Sequence, residues 1–393
     1  MSSNPSTKKY TASIGAAFLM ATSAIGPGFI TQTTFFTQQL FTSFAFVILI
    51  SVVLDIVAQL NIWRIICVSG LRAQDIANKV IPGAGYVLSI LVISGGLCFN
   101  IGNIAGCGLG ITVLTGWPVV YGAVISGFLA LCIFWFKEFG KGMDLFTKVL
   151  GVVMLLLTLY VAIQSHPPIV DALKNTIIPE RFDIKSIVTL VGGTVGGYIS
   201  FAGAHRLLDS GTKGEASLKQ ITNGSVLGIA MASAMRILLF LAALGVVATG
   251  VVLSGSNPAE TVFATAAGNI GRLIFGLVLW AAAITSVVGA AYTSVSFLST
   301  FHPWLQKNER WLIIGFILLS TLLFILIQQP PKDILVAVGA LNGLILPISL
   351  GLMLLAANRK MLLGTYRHPI WMQVAGWIVV GLMSWLGFEA FVK

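Results

Sequence analysis

Two glycine-rich stretches interrupt long apolar segments of the chain. The first, Ala21–Phe35, reads ATSAIGPGFITQTTF, and the second, Val191–His205, reads VGGTVGGYISFAGAH. Proline removes a backbone donor and clashes with the preceding turn, while glycine lets the backbone approach a ligand closely. A helix broken inside a membrane exposes N–H groups that suit a carboxylate at one end and C=O groups that suit a cation at the other. Glycine also serves ordinary helix packing, but the matched pair of breaks favours a binding site.

Polar and glycine residues in and around these stretches form the candidate substrate site. Asn100 and Asn103 stand one helical turn apart and share a face, where they could bind substrate or hold helices together. Arg236 lies near the middle of an apolar segment, where a charge is costly, so it is a candidate for substrate contact or gating. Its alternative role is a structural pair with Asp55 or Asp209. The candidate set is Gly26, Pro27, Gly28, Thr31, Gln32, Asn100, Asn103, Gly196, Gly197, Tyr198, Ser200, Arg236 and Asn342.

A second group of residues could bind a coupling proton or sodium ion. Asp55 is either the partner of Arg236 or a proton carrier, and His205 could titrate near neutral pH or be merely hydrogen-bonded. Neighbouring hydroxyls on one segment could form a sodium site or satisfy backbone carbonyls. These candidates are Asp55, His205, Asp209, Thr285, Ser286, Thr293 and Ser294.

Both glycine-rich stretches lack the acids that a divalent-metal site usually needs. No Asp or Glu lies between Met1 and Leu54 or between Ile184 and Leu208. Divalent cations prefer hard oxygen ligands, which usually include a carboxylate. The sequence therefore favours no metal-binding residues and no cofactor.

The elements that carry these residues are predicted to be transmembrane helices. Hydrophobic residues make up 57% of the 393-residue chain and charged residues 9%, where a soluble domain carries about a quarter. We predict an all-α polytopic membrane protein forming a single domain over 1–393. Its eleven spans are expected near 12–39, 43–66, 86–114, 117–136, 146–164, 187–208, 222–252, 270–299, 311–328, 333–356 and 370–391.

The spacing of the two breaks predicts an internal repeat. They fall in the first and sixth spans, five apart, as in transporters built from two inverted repeats. The first repeat is expected over 12–164 and the second over 187–356, with one extra helix over 370–391. The connection over 165–186 is expected to be the longest loop.

The basic residues predict how the chain lies in the membrane. Sixteen of the 23 Lys and Arg residues fall on the side of the N-terminus and six on the other. Cytoplasmic loops carry the excess of basic residues, so the N-terminus is predicted to be cytoplasmic and the C-terminus outside a multi-pass plasma-membrane protein. The formal net charge of +10 reflects this bias, and the expected partners are the lipid bilayer, a substrate and a coupling ion, with no nucleic acid.

Four segments resemble the NRAMP family of proton-coupled divalent-metal transporters. They read CVSGLRAQDIANKV, CFNIGNIAGCGLGI, ITSVVGAAYTSVSFL followed by PWLQ, and LNGLILPISLGLM, and their order and spacing run through almost the whole chain. The resemblance implies eleven or twelve spans in the inverted-repeat fold of the leucine transporter, within the amino-acid transporter (APC) superfamily. It also implies that the first and sixth spans are unwound at the midplane.

The chain departs from that family at the positions that would bind metal. Where the family has Asp-Pro-Gly-Asn in span one, this chain has Gly26-Pro27-Gly28-Phe29. The family's Met-Pro-His of span six falls on Gly196-Gly197-Tyr198 or on Ser200-Phe201-Ala202. An acidic pair of span three is replaced by Asn100 and Asn103, and an Asn of span seven by Arg236. The resemblance thus implies the transporter scaffold with its metal ligands lost and a positive charge gained.

Two substrate classes follow from these departures. The first is ion-coupled uptake of a small organic anion or amino-acid-like carboxylate, driven by protons or sodium. Divergent relatives encoded beside 5-oxoprolinase genes make 5-oxoproline a candidate. The alternative is a proton-coupled transporter of Mn, Fe or Mg with a rebuilt site. An intramembrane enzyme is disfavoured because no His-Glu-x-x-His or Gly-x-Ser-x-Gly motif occurs, and a channel because paired breaks indicate alternating access.

Overall fold

The described part of the chain is helical. The computed structural model describes residues 21, 24–135, 137–253, 255–327 and 329–392, with the backbone alone at 137–148, 391 and 392. Most of the predicted start of the first span, and the N-terminal lysines Lys8 and Lys9, lie outside the described residues. Two 3₁₀ turns, Phe41–Ser43 and Glu215–Ser217, accompany the α-helices. The helices are α1 Pro27–Leu40, α2 Phe44–Ser69, α3 Ala73–Val80, α4 Ala84–Thr115, α5 Val119–Trp135, α6 Lys137–Gln164, α7 Ile169–Ile177, α8 Ile184–Thr194, α9 Ile199–Asp209, α10 Leu218–Ala248, α11 Pro258–Ser296, α12 Pro303–Lys307, α13 Glu309–Ile327, α14 Pro331–Ala356, α15 Lys360–Leu363 and α16 Ile370–Val392.

The lengths and hydropathy of these helices show a polytopic membrane protein. Within the described residues, eight helical segments are long and apolar enough to cross a bilayer. A ninth is obtained if Val149–Gln164 and α7, bent by 105° at their junction, count as one span. The helix α5 is apolar but shorter. The all-helical membrane class is therefore confirmed, while the count of eleven spans stays a prediction.

The connection predicted over 165–186 contains a short helix, α7. Its nine residues are too few for a span, so a search for long apolar runs does not find it. The helix buries Ala172 and Asn175, and the Ser43 hydroxyl donates to Asn175 Oδ1 at 3.0 Å. This contact fastens the connection to the chain between α1 and α2.

Close packing against α4 fixes where α1 begins. A Cβ atom added to Gly106 of α4 would lie 2.2 Å from the Pro27 ring. Only glycine at position 106 therefore leaves room for the proline. Farther along α4, Gly110 lies against the backbone of Trp280 in α11 in the same way. Small residues thus allow α4 to contact both α1 and α11, as is common between membrane helices.

Candidate functional site

The first break lies immediately before α1. Gly26 is the N-cap residue of α1, and Pro27 occupies the first helical position, where its missing N–H costs nothing. The Gly26 N–H donates to Ala24 O at 2.9 Å. No side chain caps the helix, so Gly28 and Phe29 contribute first-turn N–H groups that have no acceptor within the helix.

The second break separates α8 from α9 at residues 195–198. Gly197 has a positive φ of 53°, and a Cβ atom there would lie 1.8 Å from Asn342 Oδ1. Both the backbone angle and the space therefore require glycine. The Ser200 hydroxyl donates to Val195 O at 2.6 Å. This hydrogen bond connects the start of α9 to the first residue of the break.

Polar side chains from two other helices face the first break. A Cβ atom on Gly26 would lie 3.5 Å from Asn103 Oδ1 in α4 and 3.5 Å from Ser286 Oγ in α11. Asn103 Nδ2 and Ser286 Oγ are buried and have no hydrogen-bond partner in the described part of the chain. The Tyr198 hydroxyl of the second break faces Asn103. The fold thus brings four of the predicted residues together at one place.

Arg236 contacts both breaks. Its Nη1 donates to the hydroxyl of Thr194, the last residue of α8, at 2.9 Å. Its Cζ lies 4.1 Å from the ring centroid of Phe29, in the first turn of α1. The side chain is 2% exposed, and its Nε and Nη2 atoms have no partner among the described residues. A buried guanidinium therefore spans the two broken helices with two donors unused.

The two predicted partners of Arg236 are placed differently. Asp55 in α2 is buried and lies near Arg236 and Thr194, but it forms no ion pair with Arg236, and its Oδ1 has no hydrogen-bond partner among the described residues. Asp209 instead forms an ion pair with Arg72, with 2.9 Å between Oδ1 and Nη2. It also accepts a hydrogen bond from the Tyr292 hydroxyl. Asp209 thus belongs to a cluster at the end of α9, apart from Arg236.

Three predicted amide side chains fasten helices to one another. Gln32 Nε2 donates to Leu335 O at 2.8 Å, and Asn100 Nδ2 donates to Ser320 Oγ at 2.9 Å. Asn342 Nδ2 donates to Gly95 O at 3.2 Å. Their side-chain oxygens have no partner among the described residues. Thr31 is buried within α1.

His205 is held as a neutral imidazole. The Ala73 N–H donates to its Nε2 at 3.4 Å. Its Nδ1 lies 3.2 Å from Ser296 Oγ, whose own proton is donated to Thr293 O. The Nδ1 atom must therefore carry the ring proton. The arrangement positions the ring between α3 and α11.

The remaining hydroxyl candidates lie along α11. Thr285 Oγ1 donates to Ala281 O, one turn earlier in the same helix, at 3.0 Å. This is the alternative role predicted for these hydroxyls, in which they hydrogen-bond to backbone carbonyls. Thr293 is buried, and Ser294 Oγ is buried against Gly96 without a partner in the described residues. Sequence reasoning did not single out Thr194 or Gly106. Thr194 could have been noticed as the hydroxyl residue between the two glycine pairs of the second stretch.

Comparisons with known proteins agree with this architecture. Residues 17–393 match the Nramp family model, described as natural resistance-associated macrophage protein-like. The chain is 60% identical over 374 residues to the uncharacterized membrane protein YcsG of Bacillus subtilis, covering 95% of this chain and 92% of that protein.

Two solved structures share the fold. One is the manganese transporter of Eremococcus coleocola, with a TM-score of 0.76 and 17% identity, covering 99% of this chain and 88% of that chain. The other is MhsT in complex with L-phenylalanine, with a TM-score of 0.62 and 16% identity, covering 96% of this chain and 98% of that chain. Identities this low indicate a common fold alone.

Proposed function

The chain belongs to the Nramp family and is a multi-pass membrane transporter, and we propose that its substrate is a small organic anion or amino-acid-like carboxylate, with 5-oxoproline a candidate. The observation that carries this proposal is that two of the buried Arg236 nitrogens have no hydrogen-bond partner among the described residues. Arg236 Nη1 is used by Thr194, while Nε and Nη2 have no partner in the described part of the chain. These two nitrogens form one edge of the planar guanidinium. Two parallel N–H groups on one edge match the two oxygens of a carboxylate.

The energetics of burial favour such a ligand. Unpaired donors buried away from water cost free energy, and Asp55 acts on Arg236 without filling the Nε and Nη2 positions. A substrate carboxylate would supply acceptors for both nitrogens. Because Arg236 contacts α8 and α1, a carboxylate bound there would interact with both broken helices at once.

The neighbouring polar groups suit the uncharged part of such a substrate. Asn103 and Ser286 face Gly26 with unused hydrogen-bonding atoms. The first-turn amides of Gly28 and Phe29 add donors that favour an anion. The bound L-phenylalanine of MhsT is an amino acid held by a protein of the same fold, which supports the substrate class.

Divalent metal transport is the second candidate. The fold shared with a manganese transporter favours it, and Asn103 Oδ1 and Ser286 Oγ are oxygens that could meet a hydrated cation. However, within the described residues no three His, Cys, Asp or Glu side chains come together as a metal site. Arg236 also places a positive charge against both breaks. The donor set is therefore better matched to an anion.

The architecture of the transporter completes the proposal. Eleven spans result if α1 and α2 are counted separately, α5 is included, and Val149–Gln164 is a span by itself. The chain forms one domain with inverted repeats at 12–164 and 187–356, and its N-terminus is cytoplasmic. Alternating access moves the broken helices, and a proton or sodium ion drives uptake.

Uptake by reconstituted protein separates the two candidates. Proteoliposomes should accumulate 5-oxoproline or another small carboxylate, and should be inert toward Mn²⁺ and Mg²⁺. Arg236→Lys should abolish that uptake because lysine retains the charge but loses the two-nitrogen edge. Uptake of Mn²⁺ that saturates and depends on the Gly26 region, with no carboxylate transported, would overturn the proposal.

A further inference from the structure

Asp55 is the described charged group that acts on Arg236, although the two side chains form no direct ion pair. Arg236 Nη1 donates to Thr194 Oγ1 at 2.9 Å, and the Asp55 carboxyl lies near the same hydroxyl without receiving its proton, which goes to Leu190 O. Asp55 and Arg236 are 1% and 2% exposed. Resting on the proposed function, we propose that Asp55 and the substrate carboxylate compete for Arg236, so that one proton taken up by Asp55 accompanies each carboxylate.

Charge accounting requires this exchange. In the empty protein an ionised Asp55 balances Arg236. A carboxylate on the Nε and Nη2 edge adds a second negative charge to a buried site, and an uncompensated buried charge is strongly unfavourable. Protonation of Asp55 restores neutrality. No bond to carbon changes, and one proton and one carboxylate enter and leave together.

The hydroxyl of Thr194 can respond to the protonation state of Asp55. It has one proton, which it donates to Leu190 O at 2.8 Å in this structure. An ionised Asp55 can accept that proton instead, and its Oδ1 has no partner in the described residues. When Asp55 is protonated, the hydroxyl remains with Leu190, and Arg236 is held by a neutral group alone.

Other titratable groups do not share this role. The helices α1, α3, α7, α8, α9, α10, α14, α15 and α16 pack against α2, while α1, α2, α6, α11 and the Glu215–Ser217 turn pack against α10. Of the described side chains on these elements, Arg236 alone acts electrostatically on Asp55, and Asp55 alone on Arg236. The other described charged and histidine side chains on these elements, none of which acts on either group, are Arg64, Asp75, Lys79, Asp171, Lys174, Lys185, His205, Arg206, Asp209, Glu215, Lys219, Glu260, Arg272, Lys332, Asp333, Lys360 and Glu389.

The consequence is electroneutral proton–carboxylate symport. An inside-alkaline pH gradient should drive accumulation of 5-oxoproline by wild-type proteoliposomes, and a membrane potential set with potassium and valinomycin should not. Binding in unbuffered detergent solution should take up one proton per substrate. Over the range in which Asp55 is ionised, the Kd should rise about tenfold per pH unit, because one proton is linked to binding.

Asp55→Asn tests the assignment, since asparagine resembles the protonated acid. The variant should bind and exchange 5-oxoproline with a pH-independent Kd, and lose pH-driven accumulation by tenfold or more. Asp171→Asn, which removes an exposed carboxyl from α7, is the matched control and should behave as wild type.

Failures of the two proposals are distinguishable. Retention of pH-driven accumulation by Asp55→Asn, or binding without proton uptake by the wild type, would overturn the role of Asp55 while leaving the carboxylate substrate intact. The proton-uptake measurement uses the wild-type protein, so it tests proton coupling even if Asp55→Asn does not fold. A wild-type protein that binds no small carboxylate at any pH would overturn both proposals.

Discussion

Arg236 and Thr194 join the two broken helices: the guanidinium donates to the Thr194 hydroxyl at 2.9 Å, at the end of α8, while its carbon lies 4.1 Å from the Phe29 ring in α1. A contact of this kind places one charge against both breaks. It leaves the Nε and Nη2 edge for a ligand. The predictions below follow from this arrangement.

Substitution of Arg236 should separate charge from geometry. Arg236→Lys keeps a positive charge but removes the two-nitrogen edge, so carboxylate binding should weaken by tenfold or more, as expected when a bidentate pair is lost. A binding titration in detergent measures this. Arg272→Lys, at a partly exposed arginine paired with Glu260 at 3.4 Å, should leave the Kd unchanged. Equal Kd values for Arg236→Lys and wild type would contradict the proposed contact.

Gly26 offers a matched pair of substitutions. A Cβ atom there would make ordinary contacts at 3.5 Å with Asn103 and Ser286, so Gly26→Ala should fold and retain uptake. Gly26→Asp adds a negative charge where the substrate anion is expected and should abolish carboxylate uptake. Both variants are compared by uptake at equal reconstituted amounts. Loss of uptake in both variants would show that space, rather than charge, matters at this position, and uptake that survives in Gly26→Asp would contradict the prediction.

Gly197 should be intolerant of any side chain. Gly197→Ala combines a positive φ with a Cβ atom 1.8 Å from Asn342 Oδ1, so it should lower the free energy of unfolding by about 1–3 kcal/mol or more and impair uptake. Gly211→Ala also has a positive φ, of 78°, but meets open space. Thermal unfolding in detergent compares them, and a larger loss is expected for Gly197→Ala. Equal losses would mean that the contact with Asn342 relaxes freely.

His368, between α15 and α16, should make stability depend on pH. Burial, with a smaller contribution from Arg64, lowers its pKa from 6.5 to about 4. In the unfolded chain His368 therefore becomes protonated below about pH 6.5, whereas in the folded protein it becomes protonated only below about pH 4. In that window this group should lower the free energy of unfolding by up to about 1.4 kcal/mol for each pH unit of acidification.

His368→Gln should remove this contribution from the slope of the unfolding free energy against pH. His166→Asn, at an exposed turn residue with φ of 47°, is the control and should keep the slope. Asparagine is chosen because it tolerates a positive φ. A slope that disappears in the control, or persists in His368→Gln, would contradict the assignment.

Much of the helical layout could be predicted because membrane helices are encoded by long apolar runs. The helix α4 spans Ala84–Thr115 where 86–114 was expected, and α14 spans Pro331–Ala356 where 333–356 was expected. The short helix α7 was not predicted, because nine residues carry no such run. The number of spans depends on how broken and bent helices are counted, which hydropathy alone does not decide.

The site was only partly predictable for a different reason. Glycine and proline mark a break locally, and an arginine in an apolar segment is conspicuous by itself. The role of Thr194 depends on the approach of α10, since hydroxyl residues are common in ordinary membrane helices. The contact of Gly106 with Pro27 likewise requires knowing which helices are neighbours.

The most direct test of the central claim is an experimental structure of the protein with 5-oxoproline bound. The account predicts the substrate carboxylate on the Nε and Nη2 edge of Arg236, with two N–O distances of about 2.7–2.9 Å. A substrate bound between the broken helices with its carboxylate away from Arg236, or an Mn²⁺ ion coordinated beside Gly26 in its place, would contradict it.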